Sequence, residues 1–165
     1  TNLTYDADSK TWIGGVTLSG TGEYKYRAND DWAINYGGDA SAMVQDGGNF
    51  ASPDVAGDYA FTLNLSTPNV YTSTVHRWGV IGDATPGGWS DDTNMTWDAG
   101  NGVFTVTLDL TAATWKFRAD DDWAVNLGGD IGALVQDGGN ISVAEAGNYT
   151  ITLNPWTNVG TITKN

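Results

Sequence analysis

The chain has 165 residues, with 20 acidic and seven basic side chains and a net charge of −13. This acidity argues against binding to nucleic acid or to an anionic membrane surface, and no run of apolar residues is long enough to span a bilayer. The absence of cysteine excludes disulfides and cysteine nucleophiles, and the single histidine, His76, excludes a multi-histidine metal site.

An internal repeat organises the chain. Residues 24–49 (YKYRANDDWAINYGGDASAMVQDGGN) and 115–140 (WKFRADDDWAVNLGGDIGALVQDGGN) are identical at 18 of 26 positions. Self-similarity of this kind indicates repeated structural units, here two modules at residues 1–75 and 76–165. The second module also carries a leader, RWGVIGDATPGGWSDDTN, at residues 77–94. Its counterpart in the first copy would lie before Thr1, so we expect the first module to lack its first strand in this chain.

Short β-strands are predicted along the whole chain. Residues 59–65, 103–110 and 149–153 place apolar side chains at every second position. Gly-Gly, Asp-Gly, Asn-Gly and Pro-Gly pairs separate such runs and are typical of turns. No long stretch has helical periodicity. Many short strands in modules of this size predict an all-β fold of two tandem immunoglobulin-like β-sandwiches.

A strand with alternating aromatic and basic residues recurs in both copies. In WKFRA the aromatic side chains are expected in the core, so Lys116 and Arg118 are predicted on the outer face, as are Lys25 and Arg27. One interpretation is a solvated face, with Arg118 paired to an acid of the following turn. The other is a set of hydrogen-bond donors for sugar hydroxyls beside an exposed ring. These matched positions hold four of the seven basic residues, which favours the second interpretation.

Several tryptophans are candidates for a binding platform. Trp89 lies in ATPGGWSDD, where it has no periodic apolar neighbours to bury it, and a large ring in such a loop indicates a contact surface. Trp32 and Trp123 follow the acidic turn of each copy and are either core residues or exposed platforms. Trp97 aligns with Tyr5, and either role is open for it.

The sequence argues against a catalytic or metal centre. The acids of NDDW, WSDD and DDDW raise the possibility of calcium. Contiguous strand residues point to opposite faces, however, which argues against the six to eight oxygens that calcium needs. A calcium ion here would be structural rather than catalytic. The only glutamates, Glu23 and Glu145, do not recur in the other copy. No nucleophile elbow, zinc-protease motif or phosphate loop is present. We therefore predict no enzyme and no required cofactor.

Read together, WGVIGDATPGGW, WKFRADDDWAVNLGG, GGNISV and AGNYTITL resemble the repeated C-terminal modules of the SusE/SusF family, which are surface starch-binding lipoproteins of Bacteroidetes outer membranes. The resemblance covers most of residues 76–165 and residues 3–75. It implies immunoglobulin-like or carbohydrate-binding-module-like sandwiches that bind α-glucan without cleaving it. It also implies an extracellular location at the bacterial outer-membrane surface, alongside other glycan-uptake proteins.

The resemblance also implies site residues, which carry over by position. In the second module Trp89 and Trp123 match the aromatic platforms, Trp97 matches a further contact, and the donors to sugar hydroxyls match Lys116, Arg118 and Asn126. In the first module the matching positions are Trp32, Lys25, Arg27 and Asn35. The first copy has no partner for Trp89, so we expect it to bind weakly or not at all.

Two functions remain from the sequence. The leading hypothesis is a non-catalytic extracellular glycan-binding protein with starch-like α-glucan as its ligand. The alternative is a structural or adhesive β-sandwich repeat, ordered by calcium or assembled through an open sheet edge. Sensitivity of thermal stability to a chelator favours the second, and a saturable response to an oligosaccharide favours the first.

Overall fold

The structure, a computed structural model, describes residues 1–165. The fold is all-β, as the alternation of apolar residues predicted, and contains several antiparallel sheets and no helix. The chain divides into two compact units, unit 1 (Thr1–Val75) and unit 2 (His76–Asn165). A tandem pair of immunoglobulin-like modules stays a prediction.

Unit 1 is built on one seven-stranded sheet and a two-stranded sheet. Its strands are β1 (Thr4–Asp6), β2 (Thr11–Ser19), β3 (Glu23–Tyr24), β4 (Tyr26–Arg27), β5 (Asn35–Asp39), β6 (Ala42–Gln45), β7 (Phe50–Ala51), β8 (Ala56–Thr67) and β9 (Val70–His76). The larger sheet has the order β1-β2-β8-β9-β6-β5-β4, and β3 pairs with β7. Strand β4 therefore lies at an end of the sheet. The core contains Tyr26, Met43, Phe50, Tyr59, Phe61 and Leu63.

Unit 2 has two larger sheets. Its strands are β10 (Trp78–Gly82), β11 (Gly88–Asn94), β12 (Thr96–Asp98), β13 (Val103–Leu110), β14 (Thr114–Ala119), β15 (Asp122–Asp130), β16 (Ala133–Gln136), β17 (Ile141–Ser142), β18 (Gly147–Asn154) and β19 (Val159–Lys164). The first sheet has the order β11-β10-β14-β15-β16, with β17 also on β14, and the second has the order β12-β13-β18-β19.

The core of unit 2 lies between these sheets. Trp115 and Phe117 of the first sheet and Phe104 and Ile151 of the second are fully buried. A Cβ added to Gly160 of β19 would lie 3.2 Å from the Phe117 ring, so side chains of one sheet reach the backbone of the other. Two antiparallel sheets that bury alternate side chains between them form a β-sandwich.

A tight turn joins β14 to β15 and positions the following tryptophan. Ala119 pairs with Asp122, and the two intervening residues, Asp120 and Asp121, have φ values of 57° and 56°. Such left-handed pairs match the twist of a two-residue hairpin, and Asp tolerates them better than most residues. The acidic run of DDDW is therefore explained in part as turn chemistry, which places Trp123 at the start of β15.

Candidate functional site

Two tryptophan rings form the centre of the candidate site in unit 2. Trp89 of β11 is half-buried, and Trp123 of β15 is 45% exposed. Their ring centroids lie 6.0 Å apart, and their planes are inclined by 38°. The first sheet thus brings together two residues that lie far apart in sequence, and it leaves part of their ring surface open to solvent.

The guanidinium of Arg118 lies against this aromatic pair. Its central carbon is 4.8 Å from the centroid of the Trp123 ring, within the range of a cation–π interaction. Its Nε donates hydrogen bonds to both carboxylate oxygens of Asp92, at 3.1 and 3.0 Å. The side chains of Arg118 and Asp92 are only 7% and 1% exposed. Burial and these hydrogen bonds therefore hold the Arg118–Asp92 pair in place next to the Trp123 ring.

The Arg118–Asp92 pair spans strand β10. Gly79 of β10 is the register partner of Arg118 on one side and of Asn94 on the other. A Cβ added to Gly79 would lie 3.0 Å from the Asp92 Cβ and 3.2 Å from the Thr93 oxygen. Because glycine carries no side chain, the Arg118 and Asp92 side chains can approach each other above this strand.

Burial changes the proton affinity of Asp92. Desolvation raises its pKa to about 6, although the hydrogen bond and the charge of Arg118 act in the opposite direction. The neighbouring carboxylate of Asp121 also raises the Asp92 pKa, and Asp121 itself accepts a hydrogen bond from Arg77. Two guanidinium groups and two carboxylates thus form one connected cluster at the base of the site.

Lys116 and Asn126 form a second polar pair next to the ring platform. The Lys116 Nζ donates to the Asn126 Oδ1 at 2.6 Å. The Asn126 Nδ2 donates to the backbone oxygen of Trp123 at 3.0 Å and to Asp137 at 2.7 Å. Both amide hydrogens of Asn126 are therefore used within the protein. In this arrangement Asn126 holds the Trp123 backbone in place rather than presenting its amide to a ligand.

The predicted exposure of the two cations is wrong. The sequence placed Lys116 and Arg118 on the face opposite Trp115 and Phe117, and the burial of both aromatic rings agrees with that alternation. However, both basic side chains are buried, because Asp92 and Asn126 cover and bind them. The partner of Arg118 is Asp92 of the leader segment and not an acid of the following turn.

Trp97 lies apart from this platform. It belongs to β12, in the second sheet of unit 2. Its ring contacts Phe104 at 5.1 Å and Trp156 at 5.7 Å between centroids. The sequence left the role of Trp97 open, and the structure places its ring in an aromatic cluster on the second sheet. The residue aligned with it, Tyr5, is exposed and contacts Trp12 at 5.3 Å.

Unit 1 repeats part of the same arrangement in a looser form. The guanidinium carbon of Arg27 lies 5.1 Å from the centroid of the Trp32 ring, which is 59% exposed. Arg27 pairs with Asp30 at 3.6 Å, and both side chains are solvent-exposed. Asn35 bonds to the Trp32 oxygen at 2.8 Å, as Asn126 does to that of Trp123. Lys25, in contrast, makes no hydrogen bond to Asn35, whose Oδ1 has no partner.

Sequence reasoning missed Asp92, Gly79 and Asp137 as parts of the site. Asp137 could have been found, since VQDGG occurs in both copies and the matching Asp46 binds Asn35 at 2.7 Å. Asp92 and Gly79 lie in the leader, where the repeat offers no comparison. Their roles depend on the order of strands β11, β10 and β14, which periodicity does not reveal.

No metal centre or membrane-spanning helix accompanies the site. Nowhere in the structure do three or more His, Asp or Glu side chains come together in a way that could hold a metal ion. None of the elements is a helix that could cross a bilayer. No protein-family model matches the chain, and no match was found among curated proteins.

Proposed function

We propose that the chain is a non-catalytic, extracellular glycan-binding protein and that its ligand is an α-glucan, such as starch or a maltooligosaccharide. The observation that carries this proposal is the tilted pair of Trp89 and Trp123, with the Arg118 guanidinium against the second ring. The proposed binding site lies on unit 2.

The chemistry of the platform suits a neutral sugar. Pyranose rings expose C–H groups on their faces and hydroxyls at their edges, and indole rings pack well against such apolar faces. The Arg118 side chain is only 7% exposed and its Nε is bound to Asp92, so its role in the proposed site is to support the Trp123 ring on which a sugar would pack. An uncharged ligand also suits a chain with a net charge of −13.

The inclination of the rings favours a bent glycan. Rings inclined by 38° are not coplanar, and we take this to suit a chain that turns from one sugar to the next, as α-1,4-linked glucose does. A flat β-1,4-linked ribbon makes its best contacts with coplanar rings. The resemblance to SusE/SusF modules supports the same ligand class. The proposed location at a bacterial outer-membrane surface, near other glycan-uptake proteins, rests on that resemblance alone.

Asp92 is placed to bind Arg118 and not to act as a general acid. A carboxyl with a raised pKa inside a cleft is a common general acid, and Asp92 has such a pKa, about 6. Its side chain is only 1% exposed, however, and both of its oxygens accept hydrogen bonds from Arg118. A glycoside hydrolase needs a carboxyl that reaches the scissile oxygen. Asp92 instead serves the binding platform.

The experiment that tests the proposal is a calorimetric titration of the full chain with maltoheptaose and with xylo-, cello- and laminari-oligosaccharides. We expect saturable heat with maltoheptaose alone, loss of that heat in Trp89→Ala, and no release of new reducing ends. A response to every glycan would contradict the assignment of α-glucan. The absence of heat across the panel would remove the glycan-binding proposal.

A further inference from the structure

Lys116 is a buried amine whose place in unit 2 the ring platform does not explain. The residue is 9% exposed, and its stem lies across Gly128 of β15, where an added Cβ would be 3.0 Å from the Lys116 Cε. None of the ion pairs of the chain includes Lys116. Burying an ammonium without a carboxylate partner is costly. A reaction that removes this charge would therefore stabilise the folded unit.

The group that Lys116 reaches is the side-chain amide of Asn126. Asn126 is 3% exposed, and the Lys116 Nζ donates to its Oδ1 at 2.6 Å. The amide carbon is one C=O bond, about 1.2 Å, beyond that oxygen, so the Nζ lies at most about 3.8 Å from the Asn126 Cγ. Nucleophilic attack starts from reacting atoms about 3–3.5 Å apart. A small side-chain rotation thus brings the amine to reacting distance of the amide carbon.

A carboxylate contacts the nitrogen that would leave in such a reaction. The Asn126 Nδ2 donates to the Asp137 Oδ1 at 2.7 Å. The backbone N–H of Asp137 donates to the Asn126 backbone oxygen at 3.2 Å, which fixes the two residues against each other. A carboxylate within hydrogen-bond reach of both a proton source and a leaving group can carry a proton between them.

We propose that Lys116 and Asn126 form an intramolecular amide bond and that Asp137 is the catalytic carboxylate. The neutral Lys116 amine attacks the Asn126 Cγ, and the C=O electron pair moves onto Oδ1. Asp137 takes a proton from the attacking nitrogen and delivers it to Nδ2. The C=O re-forms, the bond between Cγ and Nδ2 breaks, and ammonia leaves. No oxidant, metal or other reactant is needed, and the inference is independent of the glycan proposal.

The alternative is that the pair stays a hydrogen bond between an ammonium and an amide. Two features favour the covalent product. It carries no charge, so its burial avoids the cost of a buried ammonium. The hairpin of β14 and β15, in which Arg118 is the register partner of Asn126, also holds amine and amide together, so that the reaction is effectively unimolecular.

The test is mass spectrometry of the full chain in denaturant, where only covalent bonds persist. We expect an intact mass lower than that of the sequence by one molecule of ammonia. Trypsin should fail to cleave after Lys116 and should yield one branched peptide that joins residues 78–118 to residues 119–164. A succinimide at Asn101, which precedes a glycine, also loses ammonia but leaves these two peptides separate. Separate peptides would overturn the proposal.

Variants assign the role of each group. Lys116→Met and Asn126→Ala should have the full mass of their sequences. Asp137→Asn should link more slowly than the wild type, which is measured as the linked fraction at intervals after synthesis. Lys25→Met changes the matching position of unit 1 and is the control, since it should keep the branched peptide. A branched peptide in Lys116→Met, or a wild-type rate of linking in Asp137→Asn, would contradict the assigned chemistry.

Discussion

The Nε of Arg118 donates to both oxygens of Asp92, and on its other side the same guanidinium lies 4.8 Å from the centroid of the Trp123 ring. One buried carboxylate thus fixes the position of a cation, and that cation lies against one ring of the proposed platform. Because Asp92 changes charge close to neutral pH, this relationship links binding and stability to pH.

We expect affinity for maltoheptaose to fall as the pH is lowered from 7 to 5. The pKa of Asp92 is raised to about 6, so acidification neutralises it and weakens its hold on Arg118. Charge-assisted hydrogen bonds are the stronger kind, and the loss should reduce affinity by roughly three- to tenfold. Calorimetric titration at several pH values measures the effect.

Asp92→Asn is the matched variant for this prediction. It should bind at pH 7 about as the wild type does at pH 5, and its affinity should be nearly flat over this range. An affinity that falls equally in wild type and variant would show that another group is responsible.

The free energy of unfolding should depend on pH in the opposite direction from the affinity. The folded-state pKa of Asp92 lies above its ordinary value of 3.8, so the contribution of this group to stability is fully present below about pH 3.8 and is lost as the pH rises through about 6. Between pH 7 and pH 4 the wild type should therefore gain stability relative to Asp92→Asn. Denaturant unfolding of both chains measures the difference. A constant difference across this range would contradict the raised pKa.

Gly128→Ala should destabilise unit 2 by about 1–3 kcal/mol. A Cβ at this position would lie 2.3 Å from the Gly139 oxygen and 3.0 Å from the Lys116 Cε. The loop and Lys116 would have to move. Gly139→Ala is the control, since nothing lies within 4 Å of a Cβ there. Thermal unfolding should separate the two variants, and equal loss in both would refute the close approach.

Asn126→Ala should cost more stability than Asn35→Ala. The first change leaves the buried Lys116 Nζ and the Trp123 carbonyl without their amide partner, a loss of about 1–3 kcal/mol. The second also frees the Trp32 carbonyl, but it removes an Oδ1 that has no partner, so its net cost is smaller. Urea unfolding of the two variants measures the difference. A larger cost for Asn35→Ala would mean that Asn126 does not have the positioning role described here.

The fold class could be predicted from the sequence because strands follow a period of two. Residues 103–110 alternate in sequence, and Phe104, Leu108 and Leu110 are buried in β13. The same argument placed Trp115 and Phe117 in the core. The alternation of residues predicts on which face of the sheet a side chain lies, but not which other residues cover that face. The burial of Lys116 and Arg118 was missed for this reason.

The candidate site could be predicted only in part, because its remaining contacts join distant segments. Trp89 and Trp123 could be proposed separately from their loops and turns, but their distance of 6.0 Å depends on the order of β11, β10, β14 and β15. Asp92 was one acid among many in the sequence. Its contact with Arg118 depends on the space that Gly79 leaves on β10, which the sequence alone does not reveal.

In the proposed function, unit 2 and not unit 1 binds an α-glucan, and it does so through the paired tryptophans Trp89 and Trp123. The most direct measurement is calorimetric titration of maltoheptaose into Trp123→Ala and Trp32→Ala, which change the same position of the two repeats. We predict that Trp123→Ala loses at least about tenfold in affinity, equal to 1.4 kcal/mol, whereas Trp32→Ala binds as the wild type does. Equal loss in both variants, or loss in Trp32→Ala alone, would contradict this account.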